Sequence, residues 1–334
     1  MSDGDRRIGL LFAGAPSVPK MVDLAIRAEQ AGYESVWVAE TRMTRDGFTP
    51  LAAIGMATER IKLATGIVNV YTRGAVVLAI SFATLAEIAP GRTIVGLGPG
   101  SPLVLRPQGV EWDRPLRRLR EYSETMRPLL RGEPVTYEGD TMRLENAQIE
   151  DVLQHEGDAI GHGQDLPQYF GVTGMTAVAL AGELADGVIY NSCLGVEYVG
   201  RAAEAIEEGA ARVGRNAADV DVAMAILSSP DRDSATGKRR AHEFCSLYLS
   251  LFPNIARESG VDPELVAATR EAFTSGGVEA AQQVLPLEVV NQLCAAGTPE
   301  ECQDRIDEYR EAGVAMPVLI ALDGTIDLAV ETLR

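Results

Sequence analysis

Short, almost continuously apolar runs alternate along the chain with longer segments whose apolar residues recur at helical spacing. Each short run ends in a turn that leads into the next helical segment. Runs without polar alternation are typical of parallel strands that are covered on both faces. The pattern predicts eight such strands, at 7–12, 35–39, 61–67, 93–97, 167–172, 187–191, 220–227 and 317–322.

The predicted helices between these strands carry recognisable end signals. Thr298 is placed as an N-cap with Pro299 at the first helical position, and Gly313 follows the end of the same helix. Gly132 follows the end of another helix. Eight β/α units in one chain favour an α/β fold, a single (β/α)8 or TIM barrel over 1–334. An open doubly wound sheet is the alternative, but no GxGxxG motif follows the first strand.

Two segments interrupt the alternation. Residues 134–149 alternate around Gly139 as a β-hairpin does. Residues 231–296 read as entirely helical, with breaks at prolines and at a pair of glycines. A helical insertion at about 228–296 is therefore predicted late in the barrel, where we expect it to shape the substrate pocket.

Charge and hydropathy narrow the range of partners. The net charge of −18 argues against nucleic acid or an anionic membrane as a partner. No apolar run is long enough for a transmembrane helix, and the polar start of the chain lacks the apolar region of a secretory signal. A cytoplasmic protein with a small-molecule substrate is expected.

The cysteines and histidines show no metal-ligand spacing. Cys193, Cys245, Cys294 and Cys302 form no CxxC pair, and the three histidines form no HExxH motif. In a cytosolic protein such cysteines are most simply reduced thiols. The expectation from sequence is that the protein holds no metal.

The carboxyl ends of the strands are where a barrel of this type places its active site. Residues 171–174 join a strand to a helix, so their backbone N–H groups form either an anion site or a plain tight turn. The glycines of 96–101 let a flat ligand approach the backbone closely. Without a GxSxG motif, a Walker motif or a metal site, the chemistry is expected to come from an organic cofactor.

Six segments resemble one known family. They are YESVWVAE (33–40), ATERIKLATGIVNVYTRG (57–74), ATLAEIAPGRTIVGLGPGSP (83–102), RPLRRLREYSETMRPLLRGEPVTYEG (114–139), GVTGMTAVALAGELADGVIYN (171–191) and GTPEECQDRIDEYREAGV (297–314). The sequence resembles the luciferase-like monooxygenase superfamily. Within it, the chain is similar to the coenzyme F-420-dependent reductases related to methylenetetrahydromethanopterin reductase.

The resemblance implies roles for particular residues. It implies a non-prolyl cis peptide between Gly66 and Ile67, a bulge that backs the ring of the deazaflavin. Asn69 and Thr72 lie in the segment that contacts the ring, and Glu40 is an acidic residue near it. The implied cofactor-binding residues are Glu40, Thr65, Gly66, Ile67, Asn69, Gly98, Pro99, Gly100, Val172, Thr173, Gly174 and Met175, of which the last four match a phosphate-binding turn. Glu40 and Thr41 are the implied catalytic candidates.

Some family positions are occupied by other residue types. The glucose-6-phosphate dehydrogenase branch has an Asp-His pair where this chain has Glu40-Thr41, and a glutamate where it has Ser101. Sugar oxidation is therefore not expected. Gly74-Ala75 replaces the usual His-Pro, and Asn69-Val70 replaces Asn-Pro.

Three functions follow from the resemblance. The leading one is hydride transfer between coenzyme F-420 and a small organic substrate, with Glu40 either relaying a proton or hydrogen-bonding the ring hydroxyl. The alternatives are an FMN-dependent monooxygenase and a non-catalytic family member. A homodimer is expected, with the helix faces at 75–88 and 114–130 as candidate interfaces.

Overall fold

The barrel strands form where the apolar runs predict them. The computed structural model describes residues 6–14, 16–40, 43–149, 165–322 and 324–334. Within these residues the strands are β1 (Gly9–Phe12), β2 (Ser35–Val38), β3 (Lys62–Thr65), β4 (Val68–Asn69), β5 (Thr93–Gly98), β6 (Val135–Glu138), β7 (Arg143–Ala147), β8 (Gln168–Val172), β9 (Gly187–Tyr190), β10 (Asp221–Pro230), β11 (Ala295–Gly297) and β12 (Met316–Ala321).

Eight of these strands close into a parallel barrel. The order is β1, β2, β3, β5, β8, β9, β10 and β12, and β12 pairs with β1 to complete the circle. Every strand predicted from the apolar runs has its counterpart in this barrel, so the predicted (β/α)8 fold is confirmed. The short strand β4 continues β3 and pairs with β5.

Helices cover the outside of the barrel. In the described part of the chain they are α1 (Val18–Gln30), α2 (Phe48–Ala57), α3 (Ala75–Ile88), α4 (Pro102–Leu105), α5 (Pro115–Leu130), α6 (Met175–Leu184), α7 (Val196–Arg212), α8 (Ser234–Leu251), α9 (Pro253–Glu258), α10 (Pro263–Val284), α11 (Glu288–Leu293), α12 (Pro299–Glu311) and α13 (Ile326–Thr332). None of them is long and apolar enough to cross a membrane.

The apolar residues form two layers because each strand buries both faces. Inward-facing side chains fill the barrel, where the Trp37 and Tyr169 rings meet edge to face at 5.6 Å. Outward-facing side chains such as Leu10, Leu63 and Val95 pack beneath the helices. This two-sided burial explains why the strands read as continuous apolar runs.

The two predicted interruptions are present, with one correction. The hairpin is formed by β6 and β7, and Glu121 of α5 anchors its turn by accepting hydrogen bonds from the backbone N–H groups of Asp140 and Thr141 at 2.7 and 3.0 Å. The late insertion consists of α8 to α11.

The boundaries predicted for the insertion were wrong at both ends. Strand β10 continues to Pro230, and β11 is a strand that pairs in parallel with the end of β10. The Ala-Ala-Gly sequence of β11 has little strand propensity, and its pairing with β10 overrides that local preference.

A network of charges closes the amino-terminal end of the barrel. Arg7 donates to Glu34 at 2.6 Å and to Asp221 at 2.7 Å. Lys62 pairs with Glu34 at 2.8 Å, and the Tyr169 hydroxyl donates to Asp221 at 2.5 Å. Burial alone would raise the pKa of Asp221, but the hydrogen bonds from Arg7 and Tyr169 outweigh burial and hold it below its ordinary value.

Candidate functional site

A cleft of about 340 Å³ opens at the carboxyl-terminal ends of β2 and β4. This volume lies at the lower end of the range for small-molecule sites, about 300–1,000 Å³. Three residues that were predicted to lie near the cofactor border it: Glu40, Asn69 and Thr72. The remaining lining residues are Met43, Thr44, Arg45, Asp46, Arg73, Val104 and Gln108.

Glu40 is an acidic group of the cleft that is anchored through both of its carboxylate oxygens. Its Oε1 lies 2.6 Å from Nη1 of Arg73, and its Oε2 accepts a hydrogen bond from the backbone N–H of Gly47 at 3.1 Å. Its side chain is 15% exposed, so the ion pair is largely shielded from water. Both carboxylate oxygens therefore have a donor, which fixes the orientation of the carboxylate.

Arg73 was missed as a functional residue. Its guanidinium lies over the Phe48 ring at 5.3 Å, and its backbone carbonyl accepts a hydrogen bond from the Tyr122 hydroxyl at 2.8 Å. These contacts hold the guanidinium beside Glu40. Glu40 is 33 residues away in the chain, so the sequence does not reveal the pair. The one available signal was the position of Arg73 just beyond the end of a strand.

Asn69 shapes the segment that follows β4. Its Oδ1 accepts hydrogen bonds from the backbone N–H groups of Tyr71 and Thr72, each at 3.0 Å. The Thr72 hydroxyl also donates to it at 3.2 Å. This Asx-type turn leads the chain from the cleft into α3.

A bulge separates β3 from β4. Ala64 is paired with Ile94, whereas Val68 is paired with Leu97, so four residue steps on one side face three on the other. The peptide bond between Gly66 and Ile67 within this bulge is cis, as predicted.

Thr65 compensates for the ladder hydrogen bonds that the bulge interrupts. Its hydroxyl donates to the Gly96 carbonyl at 2.7 Å, and the Gly96 N–H donates back to the same hydroxyl at 3.2 Å. A Cβ on Gly96 would lie 1.8 Å from the Thr65 carbonyl oxygen, so the close approach requires glycine. Thr65 therefore supports the bulge from behind.

The Ile67 side chain fills the space beside two strand-end glycines. A Cβ on Gly98 would meet Ile67 Cδ1 at 2.4 Å, and one on Gly171 would meet Ile67 Cγ2 at 2.6 Å. Nearby, Gly100 adopts a φ of +62°, which favours glycine. The bulge and the ends of β5 and β8 thus form one continuous wall.

The predicted phosphate turn has the geometry of a helix amino terminus. Val172 ends β8, Gly174 is the N-cap of α6 and Met175 is its first residue. Open space surrounds the position of a Cβ on Gly174. The first N–H groups of α6 have no carbonyl within the helix to bond, which leaves them suited to an anion.

The predicted residues thus occupy neighbouring strand ends, although only some border the cleft. Glu40 and Asn69 border it, Gly66 and Ile67 form the adjoining bulge, and Thr65 lies behind. The residues on the next two strand ends, which do not line the described cavity, are Gly98, Pro99, Gly100, Val172, Thr173, Gly174 and Met175. Thr41 lies outside the described residues. The role of each in cofactor binding or catalysis stays a prediction.

Residues 7–316 match the family described as luciferase-like monooxygenase. The chain belongs to the luciferase-like monooxygenase family. This membership agrees with the motifs that carried the resemblance.

Relatives within the luciferase-like family span nearly the whole chain. A 5,10-methylenetetrahydromethanopterin reductase from Methanolobus tindarius is 33% identical over 93% of this chain and 92% of its own length. An F-420-dependent glucose-6-phosphate dehydrogenase from Nocardia farcinica is 30% identical over 93% of this chain and 90% of its own length.

Solved structures with the same fold superpose well on this chain. The coenzyme F-420-dependent tetrahydromethanopterin reductase from Methanopyrus kandleri has a TM-score of 0.84 at 26% identity, covering 98% of this chain and 97% of its own. A type II Baeyer-Villiger monooxygenase from Pseudomonas putida, in complex with FMN, has a TM-score of 0.69 at 18% identity, covering 98% and 95%. The latter likeness is one of fold alone.

Proposed function

We propose that this chain is a coenzyme F-420-dependent oxidoreductase that transfers a hydride between the deazaflavin and a small organic substrate. The observation that carries the proposal is the cleft at the carboxyl ends of β2 and β4, bordered by the Glu40–Arg73 pair and by the wall that Ile67 builds. The full-length similarity to F-420-dependent reductases and dehydrogenases supports it.

The residues around the cleft fit such a cofactor. The wall of bulge and glycines offers a smooth surface to a flat ring, and the amino terminus of α6 offers N–H donors to a phosphate. An arginine close to the ring region adds a positive charge to a chain whose net charge is −18. We assign Ile67 and Gly98 to the ring, and Gly174 and Met175 to the phosphate.

When bound, the deazaflavin supplies a two-electron hydride donor or acceptor, and the protein supplies position and electrostatics. Glu40 and Arg73 hold each other beside the ring region and leave little freedom to either side chain. Because both oxygens of Glu40 already accept hydrogen bonds, we assign it to positioning rather than to proton relay. Asn69 orders the segment that carries Arg73.

The test is retention of the cofactor after desalting. Purified protein is mixed with oxidised F-420 or with FMN, passed through a desalting column, and scanned for absorbance. Retained F-420 without retained FMN supports the proposal. Retained FMN would move the protein to the monooxygenase branch, and retention of neither would overturn the proposal while leaving the barrel fold in place.

The substrate class is tested next. Methylene-tetrahydropterins are the first compounds to screen, because relatives that match over most of the chain carry that activity in their names. Oxidation of reduced F-420 on their addition supports the assignment. Glucose-6-phosphate is the comparison substrate, for which no turnover is expected. A cytoplasmic location stays a prediction from the sequence.

We propose in addition that the protein is a homodimer joined through the outer faces of α2 and α3. Met56, Val77 and Ile80 are 77%, 56% and 43% exposed there, and both helices are rich in apolar residues. Exposed apolar side chains that lie close together often mark a protein–protein interface. We expect light scattering to give twice the chain mass, and Ile80→Glu to give the monomer. Val213→Glu, at an exposed apolar residue at the end of α7, serves as the control.

A further inference from the structure

Three of the four cysteines converge in the folded chain, although the sequence separates them widely. Sγ of Cys245 lies 3.1 Å from Sγ of Cys294 and 4.0 Å from Sγ of Cys193. All three sulfur atoms lie within 4.8 Å of one another. Among the described residues this is the one group of three or more Cys, His, Asp or Glu side chains with metal-ligand spacing.

The three sulfurs come from separate parts of the fold. Cys193 follows barrel strand β9, Cys245 lies within α8, and Cys294 caps α11. All three side chains are fully buried. A bond through this cluster would join the barrel to two helices of the insertion.

The backbone holds Cys193 in an uncommon conformation. Its φ is +60°, which places a residue with a side chain in the left-handed region. Such a conformation persists where the surrounding structure requires it. In this case it aims the sulfur inward at the other two thiols.

A buried hydroxyl group lies next to the cluster. Ser192 is 1% exposed, and its Oγ makes no well-formed hydrogen bond within the described part of the chain. The hydroxyl interacts with the thiol of Cys193. Buried hydroxyl groups are nearly always paired, so this oxygen is available as a further donor atom.

A positive charge stands beside the cluster. Arg305 interacts electrostatically with Cys294 and also forms an ion pair with the exposed Glu308, and its own side chain is only 12% exposed. The Arg305 guanidinium lies over the Tyr309 ring at 4.6 Å, and its Nε has no hydrogen-bond partner among the residues that the structure describes. A guanidinium here offsets negative charge on the sulfurs.

We propose that Cys193, Cys245 and Cys294 bind one zinc ion, with the Ser192 hydroxyl or a water as fourth ligand. Binding converts three thiols into thiolates and releases three protons, so the metal centre carries one negative charge. Arg305, which also pairs with Glu308, offsets part of that charge. Soft thiolate ligands select thiophilic metals, and zinc takes four ligands in a closed structural site.

The sulfur separations are close to those that zinc requires. Zinc–sulfur bonds of about 2.3 Å in a tetrahedron place the sulfurs about 3.8 Å apart. The Cys193–Cys245 separation of 4.0 Å already matches, and the Cys245–Cys294 separation of 3.1 Å must widen. A disulfide would instead need that pair to close to about 2.05 Å.

The first experiment measures bound metal. The full chain is expressed with added zinc, purified with a non-thiol reductant and no chelator, and analysed by mass spectrometry of the elements. We expect about one zinc per chain in the wild type and less than about a tenth of that in Cys245→Ala. Cys302→Ala is the matched control, because Cys302 is buried but lies outside the cluster, and it should keep its zinc.

Two further measurements test for the zinc site even if a cysteine variant misfolds. Cobalt substitution of the wild type should produce thiolate-to-metal charge-transfer absorption, which needs no mutation. A strong chelator should lower the Tm of the wild type by about 5 °C and leave that of a folded Cys294→Ser variant unchanged.

Three outcomes would overturn the proposal. Wild-type protein that takes up neither zinc nor cobalt, with four thiols titrating after unfolding, would mean that the cysteines are only packed together. Two titrating thiols in protein kept without reductant would identify a redox pair instead. Copper retained in preference to zinc would show that the site is built for a monovalent ion.

Discussion

The two ends of the barrel each hold an arginine paired with carboxylates, yet the pairs have different surroundings. At the amino-terminal end Arg7 contacts Glu34 and Asp221, which have additional partners in Lys62 and Tyr169. At the carboxyl-terminal end Arg73 pairs with Glu40, which also accepts a hydrogen bond from the backbone N–H of Gly47, and this pair borders a cleft.

Burial does not distinguish these pairs, since the Arg7 network is slightly more exposed than the Glu40–Arg73 pair. The two ends differ in whether the charged groups keep hydrogen-bonding capacity for a ligand. A network whose members neutralise one another contributes to stability, whereas a pair that faces a cavity keeps donors and acceptors for a ligand. This division agrees with the general placement of active sites at the carboxyl ends of barrel strands.

The largest effect is expected at the cleft. Glu40→Gln removes the charge that holds Arg73, so kcat/KM should fall about 100-fold with little change in the free energy of unfolding. Steady-state kinetics with F-420 and urea denaturation test the two halves of this prediction. An equal loss of stability would mean that Glu40 supports the fold, as the opposite end does.

The next effect concerns stability at the amino-terminal end. Arg7→Ala leaves Glu34 and Asp221 partly buried without their shared cation, and should lower the free energy of unfolding by about 2 kcal/mol. Arg6→Ala is the control, because Arg6 forms a more exposed pair with Asp307 and should cost less than about 0.5 kcal/mol. A lower kcat in folded Arg7→Ala would contradict the assignment of this end to stability.

A smaller effect is expected from the wall of the cleft. Gly98→Ala places a Cβ 2.4 Å from Ile67 Cδ1, so the isoleucine must move and the ring surface must change. We expect the Kd for F-420 to rise about 10-fold, an overpacking effect of moderate size. Gly74→Ala, where the Cβ has open space and φ is −65°, should leave the Kd unchanged.

The smallest effect is a pH dependence from Asp221. Because its pKa is lower in the folded state, Asp221 contributes stability above a pH of about 4 that is lost as the pH falls through the folded-state pKa. Asp221→Asn should therefore flatten the fall in stability below that pH. Urea unfolding between neutral pH and the acid range measures this effect. Parallel profiles of unfolding free energy against pH for the wild type and the variant would show that Asp221 does not contribute to the acid dependence.

The fold was largely predictable because its signal is local. Each barrel strand is a compact apolar run, and capping residues such as Thr298 mark helix ends within a few positions. The site was predictable only where a motif carried it, as with the cis peptide at Gly66. The role of Arg73 and the cysteine cluster depend on side chains that folding brings together from distant positions. Such contacts cannot be predicted from the spacing of residues along the chain.

The bulge between β3 and β4 also determines which of the following side chains face the barrel interior. Before it, Ala64 points into the barrel; after it, Ile67 and Asn69 face the interior and the cleft, while Val68 packs under the helices. Losing one residue here would exchange inside for outside along the rest of the segment, turning Asn69 away and pushing Val68 inward. We therefore expect this segment to tolerate substitutions better than changes in length. A relative with an insertion or deletion here is expected to lack the site.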